Sequence, residues 1–159
     1  SGTILIAKNA WAHQQFDRQL AAGAIKRLYL AVCQGAIQPA SARINAPIQS
    51  NSETPKREIH ADGKPAVTRY HRLHSSPAAS LLAVKLFTGR THQIRVHLAY
   101  LHHPLWGDAI YGQAAADFAR PALHAAKLTF RHPRTGQLLK FKAPLPEDLQ
   151  MLIRNLRLE

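Results

Sequence analysis

The sequence predicts an α+β fold, a mostly antiparallel mixed β-sheet with flanking helices. Three observations carry that reading. Short apolar runs bounded by Gly, Pro, Asn and Asp recur along the chain. Helical periodicity occurs at only three scattered places, so strands and helices do not alternate as βαβ units do. At 159 residues the length suits one domain, and 46% hydrophobic residues supply a core.

The elements follow in order. Thr3 to Ala7 is short, apolar and Ile-rich, and reads as a buried strand. Asn9 is placed to cap a helix from Ala10 to about Ala22, stopped by Gly23, with Trp11, Phe16 and Leu20 turned inward. Arg27 to Gln34 reads as a strand buried on both faces and ended by Gly35. A turn at Pro39 leads to a short strand near Arg43 to Ala46. The polar stretch from Gln49 to Lys64, with Pro55 and Asp62-Gly63, reads as an exposed loop or hairpin tip. Pro65 to His74 and Leu81 to Phe87 are strands. Gly89 breaks the second of these, and Thr91 is placed to cap a helix from His92 to about His102. Ile94, Leu98 and Leu101 share its inward face, and Pro104 ends it. Leu105 to Gly112 is loop-like. Ala122 to Phe130 and Leu138 to Ala143, joined by Pro133-Arg134-Thr135-Gly136, read as a hairpin, and Pro146 opens a last helix through about Leu156.

Composition narrows the partner. There are 21 Lys+Arg against 9 Asp+Glu, a net charge of +12, and the isoelectric point is about 10.6. The excess is spread along the chain rather than gathered in a tail. From Gly63 to Gly107 there is no carboxylate, while Lys64, Arg69, Arg72, Lys85, Arg90 and Arg95 lie there with six histidines. A field of one sign in the middle of a folded domain favours phosphates and nucleic acid. A disordered chain is excluded by the apolar content, and a disulfide scaffold by the single cysteine, Cys33. No apolar run approaches the roughly 18–20 residues of a membrane span. No secretory leader is visible, which with one cysteine implies a reducing, cytoplasmic setting. The opening Ser1-Gly2-Thr3, without Met and running at once into a strand pattern, reads as the start of a piece with sequence upstream.

Polar function concentrates in Thr88-Gly89-Arg90-Thr91-His92-Gln93-Ile94-Arg95-Val96-His97, a strand end, a glycine turn and a helix start. Backbone N–H groups at a helix start favour anions, and Arg90 and Arg95 bracket the place. An ordinary capped helix with surface arginines gives the same spacing. Arg95 follows Ile94 and points to the side of the helix, where burial would require a carboxylate partner. Ten histidines invite a metal, but neither His92 with His97 nor His102-His103 matches zinc spacing, so no metal site is expected. The same histidines fit an acid–base ribonuclease only loosely, because no spacing selects a pair. Tyr29, inside an apolar strand, reads first as a structural phenol, and Asp108 in Trp106-Gly107-Asp108 as a turn residue.

With these residues in place, the chain resembles the catalytic domain of an RluA-type RNA pseudouridine synthase. Arg27-Leu28-Tyr29-Leu30-Ala31-Val32 resembles the family's second motif, with Tyr29 at the position of its active-site tyrosine. Thr88 to His97 resembles its most diagnostic string. Asn45-Ala46-Pro47-Ile48, Gly63 to Tyr70, His103-Pro104 through Gly107-Asp108, Tyr111-Gly112, Leu123-His124-Ala125, His132 to Gly136 and Ala143 to Pro146 follow in family order. The ordered set covers nearly the whole chain.

The resemblance implies isomerisation of uridine in ribosomal or transfer RNA to its C-glycoside, in a central RNA-binding cleft, by a monomer without metal or other cofactor. It implies that Tyr29 packs on the uracil and helps remove its C5 proton, that Ile94 contacts the base, and that Arg90, Thr91, His92 and Gln93 shape the cleft and meet the RNA backbone. It also implies that Arg95 pairs with a nucleophilic aspartate in a His-Arg-Leu-Asp motif. That motif would lie just before Ser1, so residues 1–159 are expected to be one partial catalytic domain, inactive alone. Arg95 is then expected to have lost its partner and to turn to solvent or to a bound anion. The alternative is a non-catalytic RNA-binding domain of the same fold. A basic structural protein, as of the ribosome, fits the charge but not the string at Thr88 to His97.

Overall fold

In the computed structural model, residues 1–51, 54 and 56–159 are described. Six strands form one antiparallel sheet: β1 (Lys26–Gln34), β2 (Ser41–Asn45), β5 (Val67–Ser75), β6 (Ala79–Leu86), β7 (Leu123–Arg131) and β8 (Leu138–Lys142), in the spatial order β2-β5-β6-β1-β7-β8. A separate hairpin joins β3 (Ile48–Ser50) to β4 (Arg57–Ile59). Three helices flank the sheet: α1 (Ala10–Ala21), α2 (Gln93–Tyr100) and α3 (Glu147–Asn155). The α+β, mostly antiparallel expectation is met. The β3–β4 hairpin begins at Ile48 and occupies much of the Gln49–Lys64 stretch, of which Pro55 lies outside the described residues.

The two faces of the sheet bury different elements. Ala31, Cys33, Tyr70, Leu82, Val84 and Leu86 pack beneath Ile94 and Leu98 of α2, with Leu101 at the margin. Further along, Phe16 of α1 meets Ile25, Leu128 and Phe130, its ring edge-on to Phe130 at 5.5 Å. On the opposite face Val32, Ala79 and Leu81 pack against Leu149, Leu152 and Ile153 of α3. β1 is thus buried on both faces only over its second half; Lys26 is exposed and Arg27 to Leu30 are half-buried. That half-open stretch holds Tyr29, and it lies opposite a β-bulge. Leu28 pairs with Lys127 but Tyr29 with Ala125, leaving Ala126 as the extra residue.

Four local expectations are corrected. Thr3 to Ala7 is not a buried strand: Gly2 bridges Ala125 in parallel, Thr3 bonds the Ala125 carbonyl, and then Ile4 and Ile6 stand 79% and 71% exposed. The reason is competition for one edge. Continuing along β7 would require residues 127–131, which β8 already pairs. In α1 the Asn9 cap forms as expected, its side chain accepting from the Ala12 N–H at 2.8 Å. Trp11 and Leu20, however, are exposed, and only Phe16 reaches a core. In α2 the cap residue is His92 rather than Thr91, with no side-chain cap bond and a left-handed φ of 57°. Finally, Arg95 keeps a carboxylate partner, described next.

Candidate active-site cleft

Tyr29, Ile94, Arg95, Arg90, His92 and Gln93 line one cleft of about 230 Å³, with Leu86 and Leu123. Residues more than sixty positions apart meet because β1 lies beside β6, and α2 follows the strand end of β6. Leu86, Ile94 and Leu123 make apolar walls. Arg90, His92, Gln93 and Arg95 supply its polar groups, and apolar walls with a few polar groups suit a flat heterocycle. Thr91 lies elsewhere, with Arg90, Arg57 and Lys64 along a neighbouring cavity of about 420 Å³ beneath the β3–β4 hairpin.

Arg95 is held by Asp108. Its Nε donates to Oδ2 and its Nη2 to Oδ1, both at 2.7 Å, a bidentate pair that leaves Nη1 available. Asp108 is fully buried and also accepts from the backbone N–H groups of Ile110 and Tyr111. Burial pushes the Asp108 carboxyl up, but the Arg95 bonds and charge, with those two N–H groups, outweigh it and hold the carboxyl below its usual range. The guanidinium also lies 4.9 Å from the centre of the Tyr111 ring. The expected orphan arginine is therefore corrected. Its partner is the residue that reads from sequence as a turn former.

His92 is fixed by its neighbours. Tyr111 Oη accepts from the Arg57 N–H at 2.8 Å and lies 2.9 Å from His92 Nδ1. Burial, then the Arg95 charge, lowers the His92 pKa, so the ring is biased to neutrality.

Gln93 works inward. Its Oε1 accepts from Thr88 Oγ1 and the Arg90 N–H, and its Nε2 donates to the Val67 carbonyl and Thr68 Oγ1. Thr68 in turn meets His97 Nδ1 at 2.8 Å, and His97 Nε2 lies 3.0 Å from the Ala46 carbonyl. With all four amide positions used inside the protein, Gln93 ties the helix start to β5. Tyr29 differs: its hydroxyl makes no hydrogen bond among the described residues, and burial pushes its pKa up against the lowering influence of Arg27. Arg27 reaches the Thr88 carbonyl at 3.1 Å across Gly89, where a Cβ would stand 2.8 Å from Arg27 Nη1. Among the described residues no group of three His, Cys, Asp or Glu gathers as a metal site, and no helix is long and apolar enough to cross a membrane.

The family model described as RNA pseudouridylate synthase matches residues 1–100. The chain belongs to the RluA-type RNA pseudouridylate synthase family. It is 45% identical over 159 residues to an uncharacterized RNA pseudouridine synthase of Bacillus subtilis, YlyB, covering 99% of this chain and 52% of that protein. It is 38% identical over 167 residues to the ribosomal large subunit pseudouridine synthase D of Nitrosomonas europaea, covering 99% and 48%. The chain thus spans about half the length of the curated relatives it matches. Among solved structures, human RNA Pseudouridylate Synthase Domain Containing 1 superposes with a TM-score of 0.71 at 27% identity, covering 95% of this chain and 73% of the other. The synthase family accounts for the order of motifs. Asp108, Tyr111 and Arg57 were not singled out for the site by sequence reasoning. The Trp106-Gly107-Asp108 and Tyr111-Gly112 matches were the only sequence signal for Asp108 and Tyr111, and Arg57 had none.

Proposed function

We propose that the protein containing this chain isomerises uridine in ribosomal or transfer RNA to pseudouridine. The observation that carries this is the meeting of Tyr29 and Arg95 in one apolar-walled cleft. A uracil taken out of its stack would enter between Leu86, Ile94 and Leu123. The glycosidic C1′–N1 bond breaks, the base turns, C5 bonds to C1′, and the C5 proton is lost while N1 gains one. Tyr29 packs on the base and assists that proton transfer. Arg95, held by Asp108, presents Nη1 to the nucleophilic aspartate that family resemblance places just upstream of Ser1, keeping it ionised. Residues 1–159 are then one partial catalytic domain without its first motif. Arg90 and His92 face RNA at the cleft margin, Thr91 meets it along the neighbouring cavity, and Gln93 supports them from within.

The test compares the 159-residue chain with one extended upstream through that motif, each incubated with a uridine-containing ribosomal RNA transcript. Pseudouridine from the extended chain only, abolished by Tyr29→Phe, is the expected result. RNA binding by both chains without pseudouridine from either would establish the non-catalytic binding domain instead.

A further inference from the structure

The face of the sheet opposite the cleft carries a line of positive charge that no strand-by-strand reading shows. Arg43 of β2 pairs with Arg69 of β5, Arg69 with Lys85 of β6, Lys85 with Leu28 of β1, Leu28 with Lys127 of β7, and Lys127 with Lys142 of β8. One cross-strand row therefore crosses all six strands with a cation at every position except Leu28. Partners directly opposite each other point to the same face. Since Tyr29 neighbours Leu28 on β1, this face is the one turned away from the uridine cleft. The next row repeats the pattern, Lys26 pairing with Thr129 and Thr129 with Lys140.

All five cations are exposed, and among the described residues none forms an ion pair. The six strands contain no Asp or Glu. Helix α3 covers the Val32 and Leu81 end of this face and leaves the Leu28 end open. Phe87, 44% exposed, lies beside the row with Arg43 at 5.5 Å and Lys85 at 4.9 Å from its ring centre. Like charges facing each other across strands weaken a sheet. Lysines that guard an edge from aggregation would explain Arg43 and Lys142 on the outermost strands. They do not explain Arg69, Lys85 and Lys127, which stand on interior strands.

We propose that this face is a second RNA-contacting surface, which takes the phosphodiester backbone of an RNA segment other than the one entering the cleft. At about 4.8 Å per strand the row is about 24 Å long, a track for several consecutive phosphates. Phe87 adds a ring on which an unpaired base can stack. Contact of this kind reads no sequence; it fixes how a structured RNA sits on the protein. The proposal concerns RNA as ligand and does not require that the cleft be catalytic.

The experiment uses the 159-residue chain and a fluorescein-labelled ribosomal RNA transcript with two helical arms, titrated at several salt concentrations. The triple variant Arg69→Gln, Lys85→Gln, Lys127→Gln is compared with a control triple of equal charge, Arg18→Gln, Arg134→Gln, Arg154→Gln. Each lost phosphate contact reduces the slope of log affinity against log salt by about 0.7–0.9. The sheet triple is expected to lower the slope by roughly 2 and the affinity at least tenfold, with the control close to the parent chain. Equal losses in both triples would show a net-charge effect and overturn the proposal. So would an unchanged slope in a sheet triple whose melting curve matches the parent, or competition by polyglutamate as effective as that by RNA. The cleft reading is separated by its own readout: loss of binding in the sheet triple, with no pseudouridine from the extended chain, leaves this surface standing and removes the catalytic assignment.

Discussion

Arg95 and Asp108 form a bidentate ion pair in which the carboxylate is fully buried and the arginine side chain keeps 14% of its exposure. The pair joins the helix carrying the diagnostic string to the loop that follows it. It converts a long flexible side chain into a fixed donor at the cleft wall. Removing one member of such a pair strands the other, which is costlier than never having had the pair.

Asp108→Ala is therefore expected to destabilise the fold by about 3–5 kcal/mol, read by urea denaturation. The pH dependence has a definite sign. The folded carboxyl titrates below its unfolded value, so its stabilisation is complete above about pH 4 and is lost as pH falls through the folded value. Asp108→Asn should flatten that acid limb of the stability curve.

His97 gives a second window. It is fully buried between Thr68 and Ala46; burial lowers its pKa, against the raising effect of the Ala46 carbonyl. The unfolded chain binds this proton more readily, so stability declines as pH drops below about 6.5. Replacing His97 by Gln is expected to remove part of that decline. The measurement is unfolding free energy at pH 7.5, 6 and 5, and an unchanged slope would show that His97 binds its proton equally well in the folded and unfolded states.

Gly107 takes a left-handed φ of 69° immediately before Asp108, and a Cβ there would run into the carbonyl oxygens of Phe118 and Arg120. Gly107→Ala should cost more than the roughly 1–2 kcal/mol of the backbone conformation alone, visible as a lowered melting temperature. Gly23→Ala is the comparison, since its φ is similarly positive and a Cβ there meets nothing within 4 Å.

Tyr29 separates chemistry from binding. In the upstream-extended chain, Tyr29→Phe keeps the ring and removes the hydroxyl. Pseudouridine formation is expected to fall about 100-fold or more, a typical loss for a proton-transfer group, with RNA affinity unchanged. Equal activity would make Tyr29 a packing residue only.

Where local rules act alone, the sequence is a good guide. Asn9 caps α1, Pro146 opens α3, and Ile94 with Leu98 faces inward, because each depends on neighbours within a turn or two. The site was legible in part for the same reason. Tyr29 and the Thr88 to His97 string are contiguous motifs, and the antiparallel sheet needed only to bring β1 beside β6. Gln93 was harder to place. From sequence it belongs to an RNA-facing string, but beside a left-handed His92 its amide turns into the protein, where it accepts from the Arg90 N–H just ahead of the helix.

The amino-acid sequence by itself determined most of the elements, the excess of positive charge and the string that contributes to the cleft, since all three follow from composition and short-range spacing. Tertiary structure alone decided which residues answer one another across the chain. β8 takes the edge of β7 that Ile4 to Ala7 would have needed, and a strand edge can be paired only once. Strand register places Arg43, Arg69, Lys85, Lys127 and Lys142 in one row, although they come from five strands spread over a hundred residues. Asp108 becomes the partner of Arg95 because the loop after α2 folds back beneath the helix and excludes water from the carboxylate. A buried charge then has to be met by whichever cation the fold brings within reach.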